Sequence, residues 1–132
     1  MFFEESLTIY NGTKNKNGYL YFRSQIKGID FQAERNSTYD GKQLNIIYNN
    51  FIYIDKPFKS DKTFIPYREF LKLPDDEKVN YFTFNQGDRV IIGVVDKDIT
   101  TDFPVTKLEI EYEVFTIKGI EIFNDHVELE VV

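Results

Sequence analysis

The 132 residues carry 22 acidic and 16 basic side chains, a formal net charge of -6, with no Cys, no Trp and a single His. Zero Cys excludes disulfides, thiolate metal sites, iron-sulfur clusters and a thiol nucleophile, and one imidazole leaves no pair for a metal or a relay. A chain of this length buries roughly two-thirds of its unfolded surface in one core, so a single domain over residues 1-132 is expected.

The apolar residues are of a particular kind. Val and Ile together number 24, Phe and Tyr 13 and nine, while Ala, Leu and Met together number nine. Side chains branched at Cβ and aromatic rings suit a pleated surface and lose rotamer freedom in a helix. The composition therefore predicts an all-β fold. No run approaches the roughly 18 apolar residues of a membrane-spanning helix. Acids at Glu4 and Glu5 stand where a signal peptide carries positive charge. A cytoplasmic protein with no membrane partner is expected.

In chain order, Leu7 to Tyr10 reads as a short strand closed by Asn11-Gly12, and Thr13 to Gly18 as a polar loop. Period-two alternation from Tyr19 to Glu34 predicts strand, with a bulge or bend at Gly28. Asp40-Gly41 marks a turn. Strand follows over Leu44-Tyr48 and Phe51-Ile54, with Asn49-Asn50 as a bulge or tight turn and Pro57 as the end. Pro66 and Pro74 each precede a helix-like stretch, the only helical candidate, near residues 67-78. Tyr81-Phe84 and Arg89-Val95 flank Asn85-Gln86-Gly87-Asp88 as a hairpin, whose second arm is apolar enough to be buried on both faces. Leu108-Phe123 and His126-Val132 form a last strand pair turning at Asn124-Asp125. The sum is a small antiparallel barrel or sandwich of about seven or eight strands with one short helical insertion.

Sites of chemistry are scarce. His126 reads as a strand-end residue with no nucleophile to serve. Asp96-Lys97-Asp98-Ile99-Thr100-Thr101-Asp102 resembles a calcium loop only briefly, since Thr101 and Lys107 stand where Gly and Glu are required. No glycine-rich phosphate loop or nucleophile elbow is present. No enzyme, no cofactor and no metal site is expected. The aromatic side chains read as core, and four Arg on an acidic chain argue against phosphate neutralisation.

Charge is distributed unevenly. Residues 1-95 hold 13 basic and 12 acidic side chains, residues 96-132 three and ten. Glu109, Glu111 and Glu113 alternate with apolar residues, as do Glu128 and Glu130. Strand geometry would put each set on one face. That face is either solvated or turned toward a basic partner or an aqueous DNA channel. The loop Lys14, Asn15, Lys16, Asn17 and the segment with Lys56, Pro57, Lys59 and Lys62 are the candidate interaction elements.

Several segments together resemble a family of small morphogenesis proteins of tailed phages and prophages of Gram-positive bacteria. They are Leu7-Thr8-Ile9-Tyr10-Asn11, Ile26-Lys27-Gly28-Ile29, Ile65-Pro66 to Phe70, Phe82 to Gly93 with its Asn85-Gln86-Gly87-Asp88 turn, and Thr116 to Glu121. Tyr81 or Phe82 stands where such members carry Trp, and the C-terminal region is more acidic than theirs. The resemblance implies a neck protein of the head-closure or head-tail connector type. It implies a homo-oligomeric ring, portal, adaptor or tail proteins as partners, DNA passing without specific binding, and residence in the bacterial host cytoplasm and then the virion. Two other classes stay open: an acidic DNA-mimic inhibitor of a host factor that uses Glu109, Glu111 and Glu113, and a carbohydrate- or peptide-binding β module that uses surface Tyr.

Overall fold

The structure, a computed structural model, describes residues 5-16, 18-41 and 43-132, with the backbone alone for 34-40 and 43-48. Strands β1 (Glu5–Asn15), β2 (Gly18–Asp40) and β3 (Gln43–Ser60) form an antiparallel meander. An insertion follows: β4 (Thr63–Phe64), α1 (Tyr67–Lys72), α2 (Asp75–Lys78) and β5 (Tyr81–Phe82). Strand β6 (Arg89–Ile92), helix α3 (Val105–Glu111), β7 (Phe115–Ile122) and β8 (His126–Val131) complete the chain. Six strands close a barrel in the order β1-β2-β3-β8-β7-β6, every neighbour antiparallel, while β4 and β5 pair in parallel beside it.

Alternation explains the wall. Leu7 and Ile9, Ile52 and Ile54, and Val127, Leu129 and Val131 point into one buried cluster with Ile26, Ile29, Val90, Phe115 and Ile117. Side chains fill a barrel this narrow, so no channel runs through a single copy. The insertion contributes Phe64, Phe82 and Phe84, which pack with Phe58 at ring-centroid distances of 5.1 to 5.8 Å. Each insertion helix opens directly after a proline, Pro66 or Pro74, as expected for the 67-78 region.

Of the doubly buried strand expected over 89-95, only Arg89–Ile92 is strand, and Val94 is 60% exposed. Val90 faces the barrel core, and Ile91 faces a second cluster outside it with Tyr10, Val95 and Leu108. The element packed outside is α3, where a strand was expected. Its Leu108 is fully buried but Ile110, two positions on, is 84% exposed, so Leu108, Ile110, Tyr112 and Val114 do not share one face as they would on a strand. Pro104 at its N-cap fits a helix start.

Other boundaries move. The 13-18 loop shrinks, because β1 runs through Asn11-Gly12 to Asn15, which pairs with Gly18. Asn49-Asn50 lies in continuous register with Glu34 and Ala33, with no bulge. The bulge is at Gly28 (φ 76°), as expected, where the register steps from Ile29-Ile54 to Lys27-Lys59. Pro57, after a cis Lys56-Pro57 bond, sits in that step and does not end the strand. It occupies a place where no ladder donor is required.

The hairpin expected across Asn85-Asp88 does not form. Asn11 replaces a strand for residue 83: its Nδ2 donates to Thr83 O at 2.8 Å, and Thr83 N donates to its Oδ1 at 3.2 Å. Beyond this anchor, β6 pairs with β1 and β7. The Asn124-Asp125 turn joins β7 and β8 as expected.

The β2-β3 pair outgrows the barrel. Among the described residues, its last contact with β8 is Asn50-Val131, and with β1 Glu5-Ile29. The ladder continues for seven further rungs, from Glu34-Asn49 to Asp40-Gln43. At the usual rise this is an arm about 23 Å long. Among the described residues, no third strand pairs with it.

Candidate functional site: the uncovered barrel face and its neighbours

The acidic residues do not form the row that alternation suggested. Glu109 and Glu111 lie on α3 and Glu113 in the segment after it, so they share no strand face. Glu109 pairs with Arg89 at 3.7 Å, tying α3 to β6. Asp96 and Asp98 face Arg23 at 3.8 and 3.1 Å. Part of the C-terminal acidity is thus matched by cations from the near-neutral first 95 residues. A DNA mimic loses the phosphate-like spacing it required.

Glu128 and Glu130 do share a face. Val127, Leu129 and Val131 point inward, so His126, Glu128 and Glu130 point outward. Register adds Glu121, directly opposite Glu128, and Phe51 and Tyr53, opposite Glu130 and Glu128. The two rings are 6.4 Å apart and inclined by 29°. Glu130 reaches Lys118 at 3.6 Å, and Gly119 leaves an opening of about 320 Å³ beside the carboxylates. Exposed Glu121 has no ion pair among the described residues. Opposed like charges on a ladder are unfavourable, so this rung is a local liability.

His126 closes one end of the face. Its Nδ1 lies 2.7 Å from Asp125 Oδ1 and its Nε2 3.1 Å from Glu128 Oε1, and Phe123 stacks on the ring at 4.7 Å. The hydrogen bond to Asp125, then that to Glu128, raises the imidazole above its ordinary pKa, and the same contact lowers Asp125. It ties the Asp125 turn to β8 through both ring nitrogens.

The candidate lysines separate. Lys14 and Asn15 end β1, Lys16 is exposed in the turn, and Asn17 lies outside the described residues. Lys56 donates to Phe123 O at 2.9 Å. Lys62 turns inward and donates to Arg23 O, and burial lowers its pKa. Lys59 stays exposed, directly opposite Lys27 on β2. The two line an opening of about 450 Å³ with Ser6, Gln25, Ser60 and Asp61. Lys27 and Glu121 escaped sequence reasoning because only the Gly28 step and the β7 bulge between Ile117 and Gly119 fix their registers.

Two further features also needed the tertiary structure. Asp88 is buried, its Oδ2 accepting from Asn11 Nδ2 at 2.9 Å and its Oδ1 from Gly12 N at 3.1 Å. Burial outweighs these bonds and pushes its carboxyl up to about 6. Tyr19 is 67% exposed and stacks on Tyr21 at 6.3 Å. The pair stands between clefts of about 540 Å³, with Thr100, Thr101 and Thr106, and about 430 Å³, with Asn85, Gln86 and Asp88.

No helix is long and apolar enough to cross a membrane among the described residues. Residues 2–130 match the model of a family of unknown function, DUF6751, and the chain belongs to that family. No curated protein and no solved structure matches it.

Proposed function

We propose that this family member is a structural protein of a phage or prophage neck, of the head-closure or head-tail connector type. It acts by forming a ring and docking to portal, adaptor or tail proteins, not by catalysis. The observation that carries the reading is the β2-β3 arm. A two-stranded ribbon is marginal alone in water, and its unpaired edges invite another chain. An arm about 23 Å long is therefore best explained by a neighbour that receives it. The filled barrel supports the same reading, since DNA would pass between copies around a ring axis. The protein would assemble in the bacterial host cytoplasm and end in the virion.

Replacing residues 35-47 by a short turn tests this. The barrel is expected to fold, with its circular dichroism and cooperative melting retained, while incorporation into purified virions is lost. Undiminished incorporation, or absence of the wild-type protein from virions, would sink the reading.

The Tyr19-Tyr21 pair favours a second reading, a carbohydrate- or peptide-binding module. Exposed Tyr19, stacked on half-buried Tyr21, offers a stacking surface between a largely apolar cleft and a polar one, with hydrogen-bond partners beside it. Tyr19→Ala should then abolish glycan- or peptide-array binding without changing the melting temperature.

A further inference from the structure

Lys27 and Lys59 oppose each other across β2 and β3, and Glu121 and Glu128 across β7 and β8. Directly opposed side chains sit about 4.5 to 5.5 Å apart at Cβ, so each rung repels itself. Lys27 and Lys59 have no ion pair among the described residues, and nor does Glu121. The groups that temper the rungs are few: Asp61 beside the lysines, His126 on Glu128, and Lys118 on neighbouring Glu130. Two self-repelling rungs of opposite sign on one molecule complement each other between molecules.

We propose that copies of this chain join head to tail, the Lys27-Lys59 rung of one copy docking on the Glu121-Glu128 rung of the next. The proposal rests on the ring reading and names the contact. The partner is a second copy because the complementary charge is present on the same chain at a separate place on the wall. Two different patches give a heterologous contact, which closes into a ring or extends as a filament, whereas a twofold dimer would use one patch twice. Half-buried Phe51, opposite Glu130 beside the acidic rung, gives an incoming lysine an aromatic neighbour. The opening beside Gly119 leaves room for the incoming side chains.

Charge reversal in two directions tests the contact. One variant carries Lys27→Glu with Lys59→Glu, the other Glu121→Lys with Glu128→Lys. Light scattering behind size exclusion at low ionic strength should show wild type assembled and each variant monomeric. An equimolar mixture of the two variants should assemble again, since one then presents only acidic rungs and the other only basic ones. Salt should dissolve both assemblies. A neutral set, Lys27→Gln with Lys59→Gln and, separately, Glu121→Gln alone, which leaves Glu128 on His126, covers the case in which a reversal does not fold. These should melt higher as monomers, with repulsion relieved, and assemble roughly tenfold more weakly. A merely structural role for the rungs would not move the two readouts in opposite directions.

Wild type remaining monomeric to millimolar concentration, or variants that assemble as wild type does, would overturn the proposal. Variants that still assemble would leave the ring reading standing with another contact. Absence from virions removes the ring reading itself.

Discussion

The two outer sides of this barrel are finished differently. On β1 and β6, outward Tyr10 and Ile91 are covered when the chain returns as α3 and buries Leu108 against them. On β3, β8 and β7, outward Phe51, Tyr53, Glu121, Glu128 and Glu130 have no covering segment among the described residues. The chemistry of the outward positions decides which side the chain covers. Apolar outward residues require a lid to leave water, while carboxylates would be desolvated by one at a penalty.

Leu108→Ala should strike hardest at this contrast. It removes the buried contact of the lid and is expected to destabilise by about 2 to 5 kcal/mol in chemical denaturation. Asp88 comes next. Its folded pKa lies near 6, above the ordinary 3.8, so between these values the folded state holds a proton that the unfolded chain has lost. Its contribution to stability is therefore fully present below about pH 4 and is lost as pH rises through 6, by roughly 3 kcal/mol for about two pH units. The difference in unfolding free energy between wild type and Asp88→Asn, measured from pH 4 to 8, should follow that course, and a flat difference would refute it. Tyr10→Phe, which removes the 2.6 Å bond from its hydroxyl to Lys97 O under the lid, should cost about 1 kcal/mol.

The uncovered side should respond weakly and electrostatically. The raised pKa of His126 stabilises the hairpin below the unfolded value of 6.5, an effect that fades as pH rises through the folded value. His126→Gln should remove that pH dependence, as read by nuclear magnetic resonance titration and melting. Glu121→Gln should change stability by under about 0.5 kcal/mol, and in the favourable direction.

The barrel itself was legible because its signal is local. Period-two alternation, turn pairs at Asp40-Gly41 and Asn124-Asp125, and the burial of Val90 and Ile91 on opposite faces all follow from neighbours along the chain. α3 was not legible, because Leu108 to Val114 alternate as a strand would, and only the outward placement of Tyr10 and Ile91 creates the demand for a lid. The acidic row failed with it. Only Glu128 and Glu130 of that row share a face, and Glu121, which was not in it, joins them through a β7 bulge that no local pattern marks. Asn11-Gly12 read as a turn because those residues favour turns. In the fold Asn11 spends its side chain on Thr83 and Asp88, more than 70 positions away.

The placement of β8 between β3 and β7 has a consequence for folding. Thr8 bonds to Gly93, 85 positions later, and the last gap in the wall is filled only by residues 126-131. Such distant pairings fold on the slower, millisecond-to-second scale of β topologies. Glu128 is carried by that gap-filling strand, so the acidic half of the proposed contact is completed only when the wall closes, whereas Lys27 and Lys59 sit on the β2-β3 pair of adjacent strands.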